Sequence, residues 1–210
     1  MKCLIFDLDG TLVNSDPTVI KIINKIKQDN NLTFLNPIPN FKYALSQGGI
    51  EMFYTLFGKQ VDVDKYLEIF RKNYLNFNLK DEKLFSGVFK LLEILKKNNY
   101  IITLLTNKPK TLTFKVLEYH KLTNFFDLVV TSNDAKKKPS INGVKKILKH
   151  YKVSLEDVYM IGDSVFDSIT ANKAGIKFLY FHESGYKDNE QIIYYRKFDN
   201  YKNFIGLINE

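Results

Sequence analysis

The chain has 210 residues, of which 45% are hydrophobic and 26% charged, and its formal net charge is +8. A chain of this length buries roughly 70% of its unfolded surface, enough for one domain or for a domain with a smaller insertion. Its apolar runs are far shorter than the ~20 residues of a membrane span, and Asp7 and Asp9 interrupt the N-terminal one. We therefore expect a soluble, cytoplasmic protein with no secretory signal and no membrane partner.

The positive charge does not predict nucleic-acid binding. Arg71 and Arg196 are the only arginines, and the lysines are scattered along the sequence. A nucleic-acid interface gathers its cations into a patch or stripe. We expect no nucleic-acid partner, although the charge could help to attract anionic substrates. Cys3 is the only cysteine, so an internal disulfide is excluded.

Five short, continuous apolar runs predict buried parallel strands. These runs are Lys2 to Phe6, Tyr100 to Leu105, Phe126 to Thr131, Val158 to Ile161 and Phe178 to Phe181. Helical patterns lie between the later runs, at Val88 to Lys97, Thr111 to His120, Ile141 to Tyr151 and Phe166 to Ala174. This alternation predicts an α/β fold with an open parallel sheet flanked by helices.

The segment between the first two predicted strands does not follow this alternation. Ser15, Asp16 and Pro17 form a typical helix start, and Pro37 and Pro39 separate this helix from later helical stretches. The predicted domains are a helical insertion, 15–79, and a core, 1–14 and 80–210. An insertion that leaves the carboxyl end of the first strand starts at the ligand edge of the sheet, so we expect it to act as a lid.

Two carboxylates, Asp7 and Asp9, directly follow the first predicted strand. Like charges about 4 Å apart repel by about 4 kcal/mol at an effective dielectric constant of 20, so such a pair needs compensation. A divalent cation with oxygen ligands would provide it, and magnesium suits carboxylates, water and a substrate phosphate. A polar turn at Gly10 would explain the same residues without a metal.

Polar residues also follow the later predicted strands. They are Thr106, Asn107 and Lys108 after the second strand, Lys138 before Pro139 after the third, and Asp163, Ser164 and Asp167 after the fourth. Each group alone could be a helix cap or surface charge. Because all lie at one edge of the predicted sheet, together they indicate an active site with a nucleophile, hydrogen-bond donors, a cation and metal ligands.

These four motifs, in this order, resemble those of the haloacid dehalogenase (HAD) superfamily, in its phosphatase branch with an inserted helical cap. The resemblance implies a HAD-like Rossmannoid fold and a Mg²⁺-dependent phosphatase that forms an aspartyl phosphate. It implies that Asp7 is the nucleophile and a metal ligand, and that Asp9 is the general acid and base, with its carbonyl on the metal. Asp163 would bind magnesium, and Asp167 would support the metal site.

By the same resemblance, Thr106 and Asn107 would hold phosphate oxygens, and Lys138 would balance the charge of nucleophile and phosphate. Lys136 and Lys137 precede Lys138, but Pro139 restricts the backbone of Lys138, which favours Lys138. The presence of Asp9 argues against a dehalogenase, because relatives that displace halide lack it.

The identity of the substrate is less constrained. Gln47, Gly48 and Gly49 resemble the specificity loop of phosphoglycolate phosphatases, although their glycine spacing differs and a plain interhelical turn explains them better. We expect a small phosphorylated metabolite, with phosphoglycolate ahead of sugar phosphates, and a monomer or homodimer. Two alternatives stay open: a mutase similar to β-phosphoglucomutase, whose subgroup has glutamate where this chain has Gly162, and a binding protein that has lost turnover.

Overall fold

The computed structural model describes residues 1–37, 40–182 and 191–209. The chain divides into two compact units, which we call the core unit, Met1–Val13 with Leu84–Glu210, and the inserted unit, Asn14–Lys83. The predicted helical insertion, 15–79, falls inside the inserted unit. Within that unit, the carboxylate of Glu82 accepts a buried hydrogen bond of 2.6 Å from the hydroxyl of Tyr74.

The described residues contain eight strands, which we number in chain order. They are β1 (Cys3–Phe6), β2 (Val13–Asn14), β3 (Lys83–Leu84), β4 (Ile101–Leu105), β5 (Leu128–Val130), β6 (Val158–Gly162), β7 (Lys177–Phe181) and β8 (Arg196–Phe198). Six of them form a parallel sheet in the order β5-β4-β1-β6-β7-β8, and β2 and β3 form a separate two-stranded sheet.

The described residues also form nine α-helices. They are α1 (Asp16–Asp29), α2 (Phe41–Gln47), α3 (Gly49–Phe57), α4 (Val63–Asn76), α5 (Val88–Lys97), α6 (Lys110–Tyr119), α7 (Asn142–His150), α8 (Val165–Ala174) and α9 (Phe204–Asn209). None of these helices combines the length and the apolar character that a membrane span requires.

The predicted α/β fold is confirmed, and each of the five predicted strands is present within two residues of its expected bounds. All four side chains of β1 are fully buried, as expected of a central strand that is covered on both faces. Helix α5 shows the matching amphipathic pattern, since Val88, Leu91, Leu92 and Leu95 form one buried stripe.

Strand β8 was not predicted from the sequence. It has three residues and pairs with β7 at the edge of the sheet. Its residues Arg196, Lys197 and Phe198 do not form an apolar run, because an edge strand need not be buried on both sides. At the C-terminal end of the described residues, both Phe204 and Ile208 of α9 are buried.

The inserted unit is helical, with α1 to α4 among its described residues. Its interior is aromatic: the ring of Phe53 stacks near Phe57 and meets Phe70 edge to face, and Phe34 stacks on Phe57. Of the two prolines expected to interrupt the helical pattern, Pro37 lies between α1 and α2. Pro39 is outside the described residues.

Candidate active site

Asp7 lies immediately after β1, between the neighbouring strands β4 and β6. Its backbone N–H donates to the carbonyl of Ile161 at 2.8 Å, which extends the strand pairing to the edge of the sheet. The residue is buried, with 6% of its surface exposed. The fold thus holds a carboxylate at the carboxyl end of its central strand, where parallel α/β sheets bind ligands.

Asp163 and Asp167 lie close to Asp7, and one carboxylate oxygen from each of the three fits within 4.8 Å of the others. Two glycines make this approach possible. A Cβ on Gly10, whose φ is +81°, would lie 2.4 Å from an oxygen of Asp163, and one on Gly162 would lie 2.4 Å from Cγ of Asp167. Any side chain at these positions would displace a carboxylate.

Lys138 supplies a cation within this cluster. Its Nζ lies 2.6 Å from Oδ1 of Asp7 and 2.6 Å from Oδ1 of Asp167, and only 4% of its side chain is exposed. Burial alone would favour the neutral amine, but the carboxylates of Asp167 and Asp7 outweigh that effect and raise the pKa of Lys138. The lysine therefore stays protonated and bridges the two aspartates.

The acidic charge of the cluster exceeds what Lys138 can balance. Burial raises the pKa of Asp7 well above its ordinary value, and Asp167 and Asp163 raise it further, while Lys138 opposes them. Within the part of the chain that the structure describes, the three carboxylates of this cluster carry two more charges than Lys138 neutralises when all three are ionised. The donor set therefore suits a divalent cation with oxygen ligands.

Asp167 also fixes the start of α8. Its Oδ2 accepts hydrogen bonds from the backbone N–H and the hydroxyl of Ser164, and the Ser164 hydroxyl in turn accepts from the backbone N–H of Asp167. This reciprocal capping satisfies two donors at the first turn of the helix. With Oδ1 bonded to Lys138 and none of its surface exposed, Asp167 orients the lysine and the helix as well as adding charge.

Thr106 and Asn107 follow β4 and differ in what their side chains do. The Oγ1 of Thr106 accepts the N–H of Lys108 at 3.1 Å, which leaves the hydroxyl hydrogen available for donation. Asn107 instead accepts the N–H of Lys138 at 2.7 Å and donates to the carbonyl of Lys138 at 3.2 Å. One Nδ2–H and the backbone N–H of Asn107 are then the groups that could donate to a phosphate oxygen.

Asp9 lies next to Lys108, a lysine whose role was not predicted from the sequence. The Nζ of Lys108 is 2.8 Å from Oδ1 of Asp9, and the lysine side chain is only 8% exposed, against 31% for the aspartate. Lys108 follows the predicted Thr106–Asn107 pair directly, so its position at the ligand edge was a usable signal. What the sequence could not show is which carboxylate it would meet.

Thr11 connects Asp163 to the C-terminal segment. Its hydroxyl donates to Oδ1 of Asp163 at 3.2 Å, and its carbonyl accepts a buried hydrogen bond of 2.7 Å from the hydroxyl of Tyr201. Burial raises the pKa of Tyr201 well above its ordinary value, and Asp163 and Asp7 add to the effect. Tyr201 belongs to the tyrosine-rich segment that begins at Tyr186, a residue outside the described ranges.

The three candidate substrate contacts of the inserted unit lie where α2 ends and α3 begins. Gln47 ends α2, and Gly48 and Gly49 have φ values of +60° and +61°, a region that favours glycine. The hydroxyl of Thr55 in α3 donates to Oε1 of Gln47 at 2.6 Å. This bond closes the turn, so the local geometry of the three residues has a structural reason.

Comparisons with known proteins identify similar sequences. A family model described as haloacid dehalogenase-like hydrolase matches residues 4–181. A phosphoglycolate phosphatase from Aquifex aeolicus is 30% identical over 178 residues, which are 84% of this chain and 83% of the relative.

Two solved structures share the fold. One is described as a predicted phosphoglycolate phosphatase from Haemophilus somnus and has a TM-score of 0.83 at 23% identity. The match covers 99% of this chain and 97% of the other chain. The other, described as a β-phosphoglucomutase from Thermotoga maritima, has a TM-score of 0.72 at 19% identity, with coverages of 99% and 98%.

Proposed function

The chain belongs to the haloacid dehalogenase-like hydrolase family, and we propose that it is a magnesium-dependent phosphatase of small phosphomonoesters. The observation that carries this proposal is the position of Asp7 beside the Nζ of Lys138 and the carboxylates of Asp163 and Asp167. A buried carboxylate paired with a cation suits attack on an anionic ester, because the cation offsets the repulsion between nucleophile and phosphate.

The reaction would proceed in two displacements at phosphorus. First, a carboxylate oxygen of Asp7 bonds to phosphorus, the bond to the leaving oxygen breaks, and Asp9 gives its proton to that oxygen. Water then attacks phosphorus, the bond to Asp7 breaks, and Asp9 takes a proton from the water. Dividing the displacement in this way lets the chain use a carboxylate nucleophile and one positioned acid and base.

Asp7 and Asp163 would hold the magnesium ion, together with the backbone carbonyl of Asp9 and with support from Asp167. When bound, the ion supplies positive charge for the phosphoryl oxygens and for the acidic cluster. Lys138 orients Asp7 through their ion pair. The hydroxyl of Thr106 and the N–H of Asn107 would hold phosphoryl oxygens, because phosphoryl transfer depends mainly on positioning and charge stabilisation.

We propose 2-phosphoglycolate as the first substrate to test, since the Aquifex relative is named a phosphoglycolate phosphatase, with sugar phosphates next. The inserted unit, residues 14–83, would act as the cap and set specificity, with Gln47, Gly48 and Gly49 as candidate substrate contacts. Their role as a closed turn is compatible with backbone contacts to a substrate.

A mutase similar to β-phosphoglucomutase has less support. Glutamate would have to replace Gly162, whose added Cβ would lie 2.4 Å from Cγ of Asp167. A binding protein without turnover has less support still, because the proposed nucleophile, acid, cation and metal ligands are all present in this sequence.

The test is phosphate release from a panel of phosphomonoesters, with magnesium and with a chelator, using Asp7→Asn as the matched control. We expect magnesium-dependent release by the native chain and none above background by the variant. Release that continues in Asp7→Asn, or conversion of a sugar phosphate to its isomer without phosphate release, would contradict the proposal.

A further inference from the structure

Each of the two aspartates that follow β1 is paired with its own lysine, and each lysine side chain is at most 8% exposed. Lys138 is 2.6 Å from Asp7, the proposed nucleophile, and Lys108 is 2.8 Å from Asp9, the proposed acid and base. The two lysines come from different segments, one after β4 and one after β5. Asp9 therefore has a partner that is separate from the metal cluster and from the charge balance of the nucleophile.

The backbone of Lys108 is held at both ends. Its N–H donates to the hydroxyl of Thr106 at 3.1 Å, and its carbonyl accepts from the N–H of Ser132 at 3.3 Å. A lysine side chain normally loses much rotamer freedom when it makes a fixed contact. Here the anchored backbone and the burial of the side chain reduce the number of positions that Nζ can take.

We propose that Lys108 is a positioning residue, which holds the carboxyl group of Asp9 in the orientation required for proton transfer to the leaving oxygen. Its ammonium group engages Oδ1 of Asp9, so proton transfer falls to Oδ2. Misplacement of a catalytic group by about 1 Å can cost two orders of magnitude in rate. This inference rests on the proposed phosphatase function, in which Asp9 is the acid.

The leaving group provides the readout. An alkyl alkoxide is a poor leaving group and needs the proton from Asp9, whereas p-nitrophenolate leaves without it. We therefore expect Lys108→Met to lower kcat/KM for an alkyl phosphate such as 2-phosphoglycolate at least about tenfold more than kcat/KM for p-nitrophenyl phosphate. A purely structural effect would lower both values by the same factor.

Further variants complete the experiment. Lys110→Met removes an exposed lysine two residues away and should leave both values unchanged. In an Asp9→Asn background, Lys108→Met should lower kcat/KM for the alkyl ester by less than about a further twofold, because the carboxyl group that Lys108 would position is already absent. If Lys108→Met does not fold, as judged by thermal unfolding, Lys108→Gln replaces it with the same expectation.

An equal loss for both substrates, or an additive effect in the Asp9→Asn background, would overturn the role of Lys108. These outcomes differ from a failure of the phosphatase function, in which the native chain would release phosphate from neither ester. The ratio of the two kcat/KM values therefore tests Lys108, and the activity of the native chain tests the function on which it rests.

Discussion

The side-chain amide of Asn107 holds the backbone of Lys138 from both directions, accepting its N–H at 2.7 Å and donating to its carbonyl at 3.2 Å. The two residues come from loops after different strands, β4 and β5. Through this pair of bonds, the loop that carries Thr106 sets the place from which Lys138 reaches Asp7. The ion pair of the proposed nucleophile thus depends on an asparagine that need not touch substrate through its side chain.

Replacing Asn107 by alanine should therefore displace Lys138. We expect kcat/KM to fall roughly 10- to 100-fold from misplacement of the cation. The free energy of unfolding should fall by about 1–3 kcal/mol, because a backbone N–H loses its acceptor. Steady-state kinetics and urea unfolding would measure both effects.

The matched control for this change is Asn133→Ala, which also removes an asparagine oxygen from a backbone N–H, here that of Lys110. It should leave kcat/KM within about twofold of the native value. Equal kinetic losses in the two variants would show that the contact with Lys138 has no special importance.

Asp163 and Asp167 should respond differently to replacement by asparagine. Asp163→Asn removes a proposed magnesium ligand and relieves like-charge repulsion with Asp7. We expect about a tenfold or larger rise in the magnesium concentration for half-maximal activity, without loss of stability when magnesium is absent. An unchanged magnesium requirement would remove Asp163 from the metal site.

Asp167→Asn should instead lower the free energy of unfolding by about 3–5 kcal/mol, because Lys138 loses one of its two buried partners. The reciprocal cap at the start of α8 is weakened as well. Urea unfolding in the presence of a chelator separates the two variants. Equal stability of Asp163→Asn and Asp167→Asn in that experiment would contradict the distinction.

Gly162 should not accept a side chain. Gly162→Ala places a Cβ 2.4 Å from Cγ of Asp167, and we expect a loss of stability of about 1–3 kcal/mol from overpacking together with reduced phosphate release. Gly206→Ala is the control, because nothing lies within 4 Å of its added Cβ. Thermal unfolding and activity would compare the two. A fully active Gly162→Ala would weaken the argument against a mutase.

Tyr201→Phe should change the pH dependence of stability. The pKa of Tyr201 is raised in the folded chain, so its contribution is present below the unfolded pKa of about 10 and is lost as the pH rises towards the folded pKa. Near pH 8 we expect the variant to be less stable by about 0.5–1.5 kcal/mol, because it lacks the bond to Thr11. By pH 10.5 this difference should shrink by about 1 kcal/mol.

Urea unfolding at the two pH values measures the effect. Tyr194→Phe serves as the control, since Tyr194 is 47% exposed and the change should be neutral at both. A stability difference between the native chain and Tyr201→Phe that does not vary with pH would contradict the burial argument.

The sequence predicted the parts of the site that follow from position along the chain. Asp7, Thr106 and Asp163 each come directly after a buried apolar strand, and the carboxyl ends of parallel strands meet at one edge. The predicted fold and family follow from the same pattern and are confirmed.

The contacts that link distant segments could not be predicted in this way. Lys108 and Asp9 are 99 residues apart, and Tyr201 and Thr11 are 190 apart, so no periodicity relates them. Strand β8 was missed for a different reason, because Arg196 and Lys197 at the edge of the sheet carry no apolar signal. Which charges meet is decided by tertiary packing, and the sequence gives only the candidates.

The most direct test is chemical trapping of the phosphorylated residue. The chain would be mixed with magnesium and its best phosphomonoester, quenched during turnover and treated with borohydride, which reduces an aspartyl phosphate to homoserine. Peptide mass spectrometry should then find homoserine at position 7, and none in Asp7→Asn or without substrate. Turnover with an unmodified Asp7, or with the modification at another residue, would contradict nucleophilic attack by Asp7.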